Sequence, residues 1–307
     1  MKKWLLILMT CFLVGMLAAC GTVSNGENSG KINVTTTTGQ VADVVKNVGG
    51  EHVEVTSLMG PGVDPHLYQA SQGDIQKLSK AEIIFYSGLH LEGKMDNIFE
   101  KMSKEKPTVA VAESIPENML LSAEGNSNAH DPHVWFDIQL WLNTVDEVEV
   151  KLSELSPENK EDFRANAAKY REELEELDAY AKEQMATIPE DSRVLVTAHD
   201  AFKYFGNAYG LEVMGLQGLS TDSEYGLKDV QNLIDTLTER NIKAVFIESS
   251  ISEKSINAVV EGAKKQNHEV EIGGELFSDA MGEEGTEEGT YLGMFKHNVD
   301  TVVSSLK

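Results

Sequence analysis

The sequence predicts an α/β fold with two lobes, each built on a parallel sheet, and one long rigid helix that joins them. Short runs rich in β-branched residues alternate with helical patterns on both sides of the chain centre, which is typical of parallel sheets covered by helices. Between the two alternating regions, a helical pattern continues unbroken over residues 156–189. At 307 residues, the chain is long enough for two cores of ordinary size.

The N-terminal lobe is predicted to span residues 31–155. Its strands are expected at 32–36, 53–58, 83–86 and 108–111. Its helices are expected at 39–48, 71–80, 94–102 and 138–152. The segment 122–130 is polar and has no apolar period, so it is predicted to be a loop.

The connecting segment is predicted to be one helix over residues 156–189. Ser156 is suited to cap its N-terminus, Pro157 to occupy the first helical position, and Pro189 to close it. Apolar side chains recur every three or four residues along it: Phe163, Ala167, Tyr170, Leu174, Leu177, Ala181, Met185 and Ile188. Because this stripe runs for about four heptads, a coiled-coil oligomerisation helix is the alternative.

The C-terminal lobe is predicted to span residues 190–307 and to repeat the alternation of strands and helices. Its strands are expected at 194–197, 213–216, 244–247 and 270–276. Its helices are expected at 201–208, 227–240, 255–265 and 291–306.

The N-terminus has the features of a targeting segment. A lysine pair precedes an apolar run over residues 4–16, which is too short to cross a membrane. The next four residues, Leu17-Ala18-Ala19-Cys20, resemble a bacterial lipobox, which implies removal of residues 1–19 and lipidation of Cys20. Residues 20–30 would then tether the protein to the extracytoplasmic face of the cell membrane. An ordinary secretory leader with a chance cysteine is the alternative.

Charge and cysteine content restrict the partners and the chemistry. The chain has 26 basic and 50 acidic residues, and its formal net charge is −24. Nucleic acid would repel so acidic a protein, so it is excluded as a partner. Of the two cysteines, only Cys20 would remain after cleavage of the leader, so no disulfide is expected within the mature chain.

A tripeptide, Asp-Pro-His, occurs twice and ends at His66 and His133. Proline fixes its own φ and restrains the residue before it, so each histidine follows a stiff bend in a loop that comes after a strand. His199 and Asp279 directly follow predicted strands of the second lobe. Because ligands bind outside the carboxyl ends of strands in open α/β sheets, facing lobes would bring these side chains into one cleft. Three imidazoles and a carboxylate are a complete ligand set for a divalent transition metal.

The remaining histidines serve as comparisons. His52, His268 and His297 lie in a turn, a polar loop and the last helix, and each is predicted to be a surface or half-buried packing residue. His90 follows a strand, and His130 lies three residues before the second Asp-Pro-His histidine. The sequence neither assigns these two histidines to the metal site nor excludes them from it.

The neighbours of the two Asp-Pro-His histidines have predicted roles of their own. Asp64 and Asp131 are expected mainly to cap the turns that they begin, with orientation of the adjacent imidazole as the alternative. Trp135 and Phe136 are predicted to be core residues, since large aromatic rings are usually buried.

Five motifs are distributed along the mature chain: GPGVDPH at 60–66, DPHVWFD at 131–137, VTAHDAF at 196–202, LSTDSEYGLKDV at 219–230 and FSDAMG at 277–282. Together they resemble the TroA-like substrate-binding lipoproteins that serve manganese and zinc ABC importers. The resemblance implies metal ligands at His66, His133, His199 and Asp279. It also implies delivery of the ion to a membrane permease and the associated ATPase. The protein is predicted to be a monomer.

The choice of metal rests on the ligand set. Three imidazoles bind Zn²⁺ more tightly than Mn²⁺ by the general affinity order. The carboxylate of Asp279 suits a harder ion, and the segment 122–129 lacks the histidines that zinc-type relatives often carry there. The prediction therefore favours Mn²⁺ as the transported ligand, with Zn²⁺ as the alternative.

Two other functional classes are compatible with the same residues. A metallohydrolase needs an open coordination position and a nearby general base, whereas four protein ligands close a tetrahedral site, and the chain contains no HExxH motif. An enzyme is therefore not predicted. A metal-stabilised surface adhesin is the other alternative, although nothing in the sequence marks a receptor-binding surface.

Overall fold

The computed structural model describes residues 30–123, 126–223 and 225–307. The predicted signal peptide, the lipidation site at Cys20 and the tether up to residue 29 lie outside the described residues. In the N-terminal half, the elements are β1 (Ile32–Thr36), α1 (Gly39–Gly49), β2 (Val53–Ser57), α2 (Gln72–Lys80), β3 (Ile83–Tyr86), α3 (Asp96–Met102), β4 (Thr108–Ala110), β5 (Ser122–Ala123), β6 (Asn126–His130) and α4 (Ile138–Leu155).

The first four strands form one parallel sheet in the order β2-β1-β3-β4. Val34 in the central strand β1 is paired with Val55 on one side and Ile83 on the other. Because all four strands run in the same direction, their carboxyl ends meet along one edge of the sheet. The loop that bears His66 follows β2 at this edge.

Side-chain caps start several of these helices. The hydroxyl of Ser71 accepts a hydrogen bond from the backbone of Asp74, and the Asp74 carboxylate accepts one in return from the Ser71 backbone, which forms a capping box at α2. The Asp137 carboxylate accepts hydrogen bonds from Gln139 N and Leu140 N at the start of α4. These caps fix where the helices begin.

The prediction of a loop over residues 122–130 is wrong. The segment contains the antiparallel pair β5 and β6, in which Ser122 is paired with His130. The polar composition hid this pairing, because backbone hydrogen bonds form a two-stranded ribbon without an apolar period in the sequence.

The long helix α5 spans Lys160–Met185 and follows a short 3₁₀ turn at Pro157–Asn159. The predicted N-cap at Ser156 is wrong, because its side chain makes no capping hydrogen bond and the α-helix begins four residues later. At 26 residues, α5 is about 39 Å long. The predicted apolar stripe is confirmed, since all eight of its members are buried. The stripe packs inside the molecule, against α1 and α4, which argues against the coiled-coil alternative.

The C-terminal half contains β7 (Val194–His199), α6 (Lys203–Tyr209), β8 (Glu212–Gln217), α7 (Leu227–Glu239), β9 (Ala244–Glu248), α8 (Lys254–Lys265), β10 (Glu271–Leu276) and α9 (Tyr291–Leu306). The pairs β7–β8 and β9–β10 are parallel, and β7 lies beside β9. The last helix, α9, packs against both β10 and α5. The predicted α/β class with parallel sheets and a long helix is therefore confirmed.

Residues Ile32–Lys307 form one compact unit. Its largest apolar cluster includes side chains from both halves and from α5, among them Val45, Leu174 and Phe295. The long helix thus contributes to a core that both halves share. Within the described ranges, no helix combines the length and the apolar character needed to cross a bilayer.

Candidate metal centre

The four predicted ligand residues reach the same place from four separate segments. His66 lies in the loop after β2, and His133 immediately precedes the 3₁₀ turn Val134–Phe136. His199 is the last residue of β7, and Asp279 follows β10. Two of these segments precede α5 and two follow it. The structure therefore brings together all four side chains that the sequence singled out.

One potential ligand atom from each of the four residues lies within 4.8 Å of the other three. The Nε2 atoms of His66 and His133 are 3.3 Å apart. The three imidazoles converge on the Asp279 carboxylate, which lies 3.7 Å from His66 Nε2, 3.5 Å from His133 Nε2 and 3.3 Å from His199 Nε2. Three nitrogen donors and a carboxylate at this spacing match the ligand set of a transition-metal site.

The cluster is buried and incompletely hydrogen-bonded. Its members are at most 5% exposed. Among the described residues, His199 Nε2 and both carboxylate oxygens of Asp279 are buried polar atoms without a hydrogen-bond partner. Buried polar atoms are normally satisfied, so three unsatisfied atoms in one cluster indicate a missing partner. A cation is the partner that would satisfy nitrogen lone pairs and a carboxylate together.

Burial and mutual charge set the protonation of the cluster. Burial alone would raise the pKa of Asp279, but the nearby imidazoles, His199 above all, lower it below its ordinary value. Burial lowers the pKa of His66 to about 3, although Asp279 opposes that shift. Burial also disfavours the charged form of His199, but Glu248 and Asp279 outweigh it and raise its pKa well above the ordinary value. These shifts favour the ionised form of the Asp279 carboxylate and the protonated form of the His199 ring.

Asp131 does more than cap its turn. Its Oδ1 accepts one hydrogen bond from the backbone N of His133 at 3.0 Å and another from Nδ1 of the same residue at 2.7 Å. The turn-capping prediction is therefore incomplete, because the carboxylate also fixes the ring and leaves Nε2 as the donor atom. Asp64 caps its own turn as predicted, accepting from His66 N at 2.8 Å, and its Oδ2 accepts from the hydroxyl of Thr221.

Glu248 is a functional residue that the sequence did not reveal. Its Oε1 accepts from the backbone N of His199 at 2.8 Å, and its Oε2 accepts from His199 Nδ1 at 2.6 Å. Glu248 ends β9, beside the end of β7. The available signal was an acidic residue at the carboxyl end of a buried strand, but its partner lies 49 residues away in the chain.

The two aromatic residues next to His133 are buried, as predicted. The ring of Trp135 meets the His133 ring edge-on, with their centroids 5.3 Å apart, and its Nε1 donates to the carbonyl of Ser278. Trp135 therefore connects the His133 loop to the segment that bears Asp279. The ring of Phe136 packs against that of Phe202.

The other histidines lie outside the four-residue cluster. His90 is exposed and pairs with Asp96, although it lines a small cavity of about 100 Å³ together with His66. His130 lies 3.8 Å from Glu117. The prediction of a surface or half-buried position is wrong for His268, which is buried. Its Nε2 donates to the carbonyl of Ile242, so this ring nitrogen is satisfied in the interior.

His52 and His297 are partly exposed, as predicted. His52 pairs with Asp162 through Nε2, and His297 Nε2 lies 3.1 Å from the carbonyl oxygen of Glu275. Both side chains have local partners that account for their positions.

The fold and the buried donor set are those of a metal-transport substrate-binding protein. A solved structure, the periplasmic zinc-binding protein TroA from Treponema pallidum, superposes with a TM-score of 0.88 at 49% identity and covers 90% of this chain and 99% of that chain. Residues 34–305 match the family described as ZnuA, zinc-uptake complex component A, periplasmic. The chain belongs to this family, and the resemblance found in its motifs is confirmed.

Two curated relatives extend over nearly the full chain. The manganese-binding lipoprotein MntA of Bacillus subtilis (strain 168) is 59% identical over 297 residues, which are 96% of this chain and 97% of the relative. The zinc-binding protein TroA of Treponema pallidum (strain Nichols) is 47% identical over 294 residues, covering 96% of this chain and 94% of the relative. The relatives thus include one protein named for manganese and one named for zinc.

Proposed function

We propose that this protein binds one divalent transition metal ion through His66, His133, His199 and Asp279 and delivers it to the permease of an ABC importer. The observation that carries the proposal is the convergence of four buried residues whose potential ligand atoms lie within 4.8 Å of one another. In the described part of the chain, His199 Nε2 and both carboxylate oxygens of Asp279 have no hydrogen-bond partner. The ion is cargo that the protein transports.

Manganese is the favoured cargo. The relative at 59% identity is named as a manganese-binding lipoprotein, and the ionised carboxylate of Asp279 suits a hard cation. Zinc is the second candidate, because three imidazoles bind Zn²⁺ more tightly and the relative at 47% identity is named as a zinc-binding protein. Affinity in vitro therefore does not decide which ion is transported.

The proposal treats the protein as a binding protein without catalytic activity. Four protein ligands fill a tetrahedral shell, whereas a catalytic metal keeps a position open for water or substrate. The ligands are also too deeply buried for an organic substrate to reach the ion, since none is more than 5% exposed.

We also propose a lipid anchor and two lobes separated by the connecting helix. Residues 1–19 are the leader, Cys20 carries the lipid, and residues 20–30 tether a monomer to the extracytoplasmic face of the membrane. Two lobes, 31–155 and 190–307, lie on either side of the connecting helix 156–189. The relatives named as lipoproteins support the anchor.

Uptake in cells tests this function. A strain that lacks the protein should take up manganese poorly from medium with physiological metal levels, and the wild-type chain should restore uptake. His133→Ala should not restore it, whereas His52→Ala, at a partly exposed histidine outside the cluster, should. Full restoration by His133→Ala would overturn the proposal. If the wild-type chain restores the uptake of zinc but not that of manganese, zinc is the cargo.

A further inference from the structure

The end of strand β9 positions both ligands of the C-terminal half. Glu248 accepts two hydrogen bonds from His199, as described above. The next two residues bind the segment that bears Asp279: Ser249 Oγ donates to the carbonyl of Ala280 at 2.9 Å, and Ser250 Oγ lies 3.0 Å from Ser278 Oγ. Three consecutive residues of β9 and its following loop therefore determine how His199 and Asp279 face each other.

The contact between Glu248 and His199 controls the chemistry of the ring. A carboxylate can only accept, so His199 Nδ1 carries a hydrogen, and Nε2 is the atom that faces the cluster and offers its lone pair to an ion once any proton there is displaced. The Glu248 residue is 3% exposed and the His199 residue is fully buried, so water does not screen this interaction. A carboxylate behind an imidazole also makes that imidazole a stronger electron donor to a metal.

We infer that Glu248 is a positioning residue that biases the site towards manganese, through the orientation of His199 and the buried negative charge behind it. This inference rests on the proposed function. Zn²⁺ gains much of its affinity from nitrogen donors themselves, whereas Mn²⁺ binds nitrogen weakly and depends more on negative charge around it. Removal of the Glu248 charge should therefore weaken Mn²⁺ binding more than Zn²⁺ binding.

Glu248→Gln is the informative variant. Glutamine has nearly the same shape but offers one acceptor oxygen and one donor NH₂, whereas Glu248 accepts from two donors. If the NH₂ group faces the ring, His199 must place its hydrogen on Nε2, the atom that would bind the ion. If it faces the backbone N, the variant loses that hydrogen bond instead. Both orientations remove the charge.

Asp178→Asn provides the matched control. Asp178 lies on α5 and is also a buried carboxylate, and it accepts from Tyr209, Gln139 and the exposed Lys182 without contact to the cluster. Its variant reports what the loss of a buried negative charge does to the fold in general. Thermal unfolding of each metal-free variant shows that the protein is folded before metal is added.

The experiment measures Mn²⁺ and Zn²⁺ affinity of the wild type and both variants by chelator competition, and records the electron paramagnetic resonance spectrum of bound Mn²⁺. Glu248→Gln is expected to bind Mn²⁺ about 10- to 100-fold more weakly, with a smaller loss for Zn²⁺ and an altered Mn²⁺ line shape. Asp178→Asn is expected to keep the wild-type ratio and line shape. Equal losses for both metals, or the same change in both variants, would overturn this inference. A wild type that binds neither metal would overturn the proposed function instead.

Discussion

The Oδ2 atom of Asp279 lies 3.3 Å from the Nε2 atom of His199, yet neither atom makes a hydrogen bond. The two residues come from the ends of different strands, β10 and β7, on the same half of the molecule. Both groups are buried, so a cation that displaces the proton of the His199 ring would be held by a carboxylate oxygen and a ring nitrogen together.

Asp279→Asn should severely weaken metal binding. The substitution keeps the side-chain size but removes the only carboxylate within the four-residue cluster. Since loss of a residue that merely supports a ligand typically costs 10–100-fold, loss of the ligand charge should reduce Mn²⁺ affinity by about 100-fold or more. Titration calorimetry on chelator-treated protein measures this loss. Asp300→Asn, on the partly exposed face of α9, is the control that should bind like the wild type.

Metal affinity should increase with pH. Because Glu248 and Asp279 raise the pKa of His199 above its ordinary value against the effect of burial, protons compete with an incoming ion for that ring. His66, whose pKa is lowered to about 3, does not compete for protons in this range. Mn²⁺ affinity should therefore rise with pH between about pH 6 and pH 8, by up to about tenfold per pH unit, which is the limit for displacement of one proton.

Chelator competition at three pH values in that range checks this dependence. Glu248→Gln removes one cause of the raised pKa of His199, so its affinity profile should move to lower pH. An affinity that is independent of pH would contradict ligation through His199.

Tyr170→Phe should destabilise the folded protein. The Tyr170 hydroxyl on α5 donates to Asp43 Oδ2 on α1 at 2.6 Å, and both side chains are buried. Its removal leaves a buried carboxyl group without this donor, so the free energy of unfolding should fall by about 1–3 kcal/mol. Urea unfolding measures the change.

Tyr180→Phe is the matched control on the same helix. Tyr180 also bonds to an aspartate, Asp300, but that contact is exposed. Its loss should change stability by less than about 0.5 kcal/mol. Equal effects of the two substitutions would show that the Tyr170 contact gains nothing from burial.

Leu174→Ala should lower the free energy of unfolding by about 2–5 kcal/mol, because Leu174 is fully buried in the apolar stripe of α5 and its truncation leaves a cavity. Glu176→Ala, on the exposed face of the same helix, should be nearly neutral.

Sedimentation of the wild type should show a monomer at all concentrations. A mass that grows with concentration and falls after Leu174→Ala would favour the coiled-coil alternative.

Most of the fold follows from local patterns in the sequence. The predicted strands and helices lie within a few residues of those observed, because apolar periodicity and caps such as Ser71 are local signals. The errors occur where local signals are weak. The pair β5–β6 depends on backbone hydrogen bonds in a polar segment, and the start of α5 depends on how Pro157 first forms a 3₁₀ turn.

The candidate ligands were also predictable, because the carboxyl ends of parallel strands place His199 and Asp279 on the edge where ligands bind. Their supporting groups were harder to find. Asp131 lies two residues from its histidine, and orientation of that ring was only the alternative to turn capping, whereas Glu248 reaches His199 across neighbouring strands. Such a contact depends on strand order, which periodicity does not specify.

The most direct test is the stoichiometry of metal binding to chelator-treated protein. Calorimetric titration with Mn²⁺ should show one ion per chain, and the bound ion should raise the free energy of unfolding by about 2.7 kcal/mol when the free ion is at 100 times its Kd. His133→Ala should lose both effects. If the wild type binds no Mn²⁺ or Zn²⁺, or if His133→Ala binds like the wild type, the four buried side chains do not form a metal site.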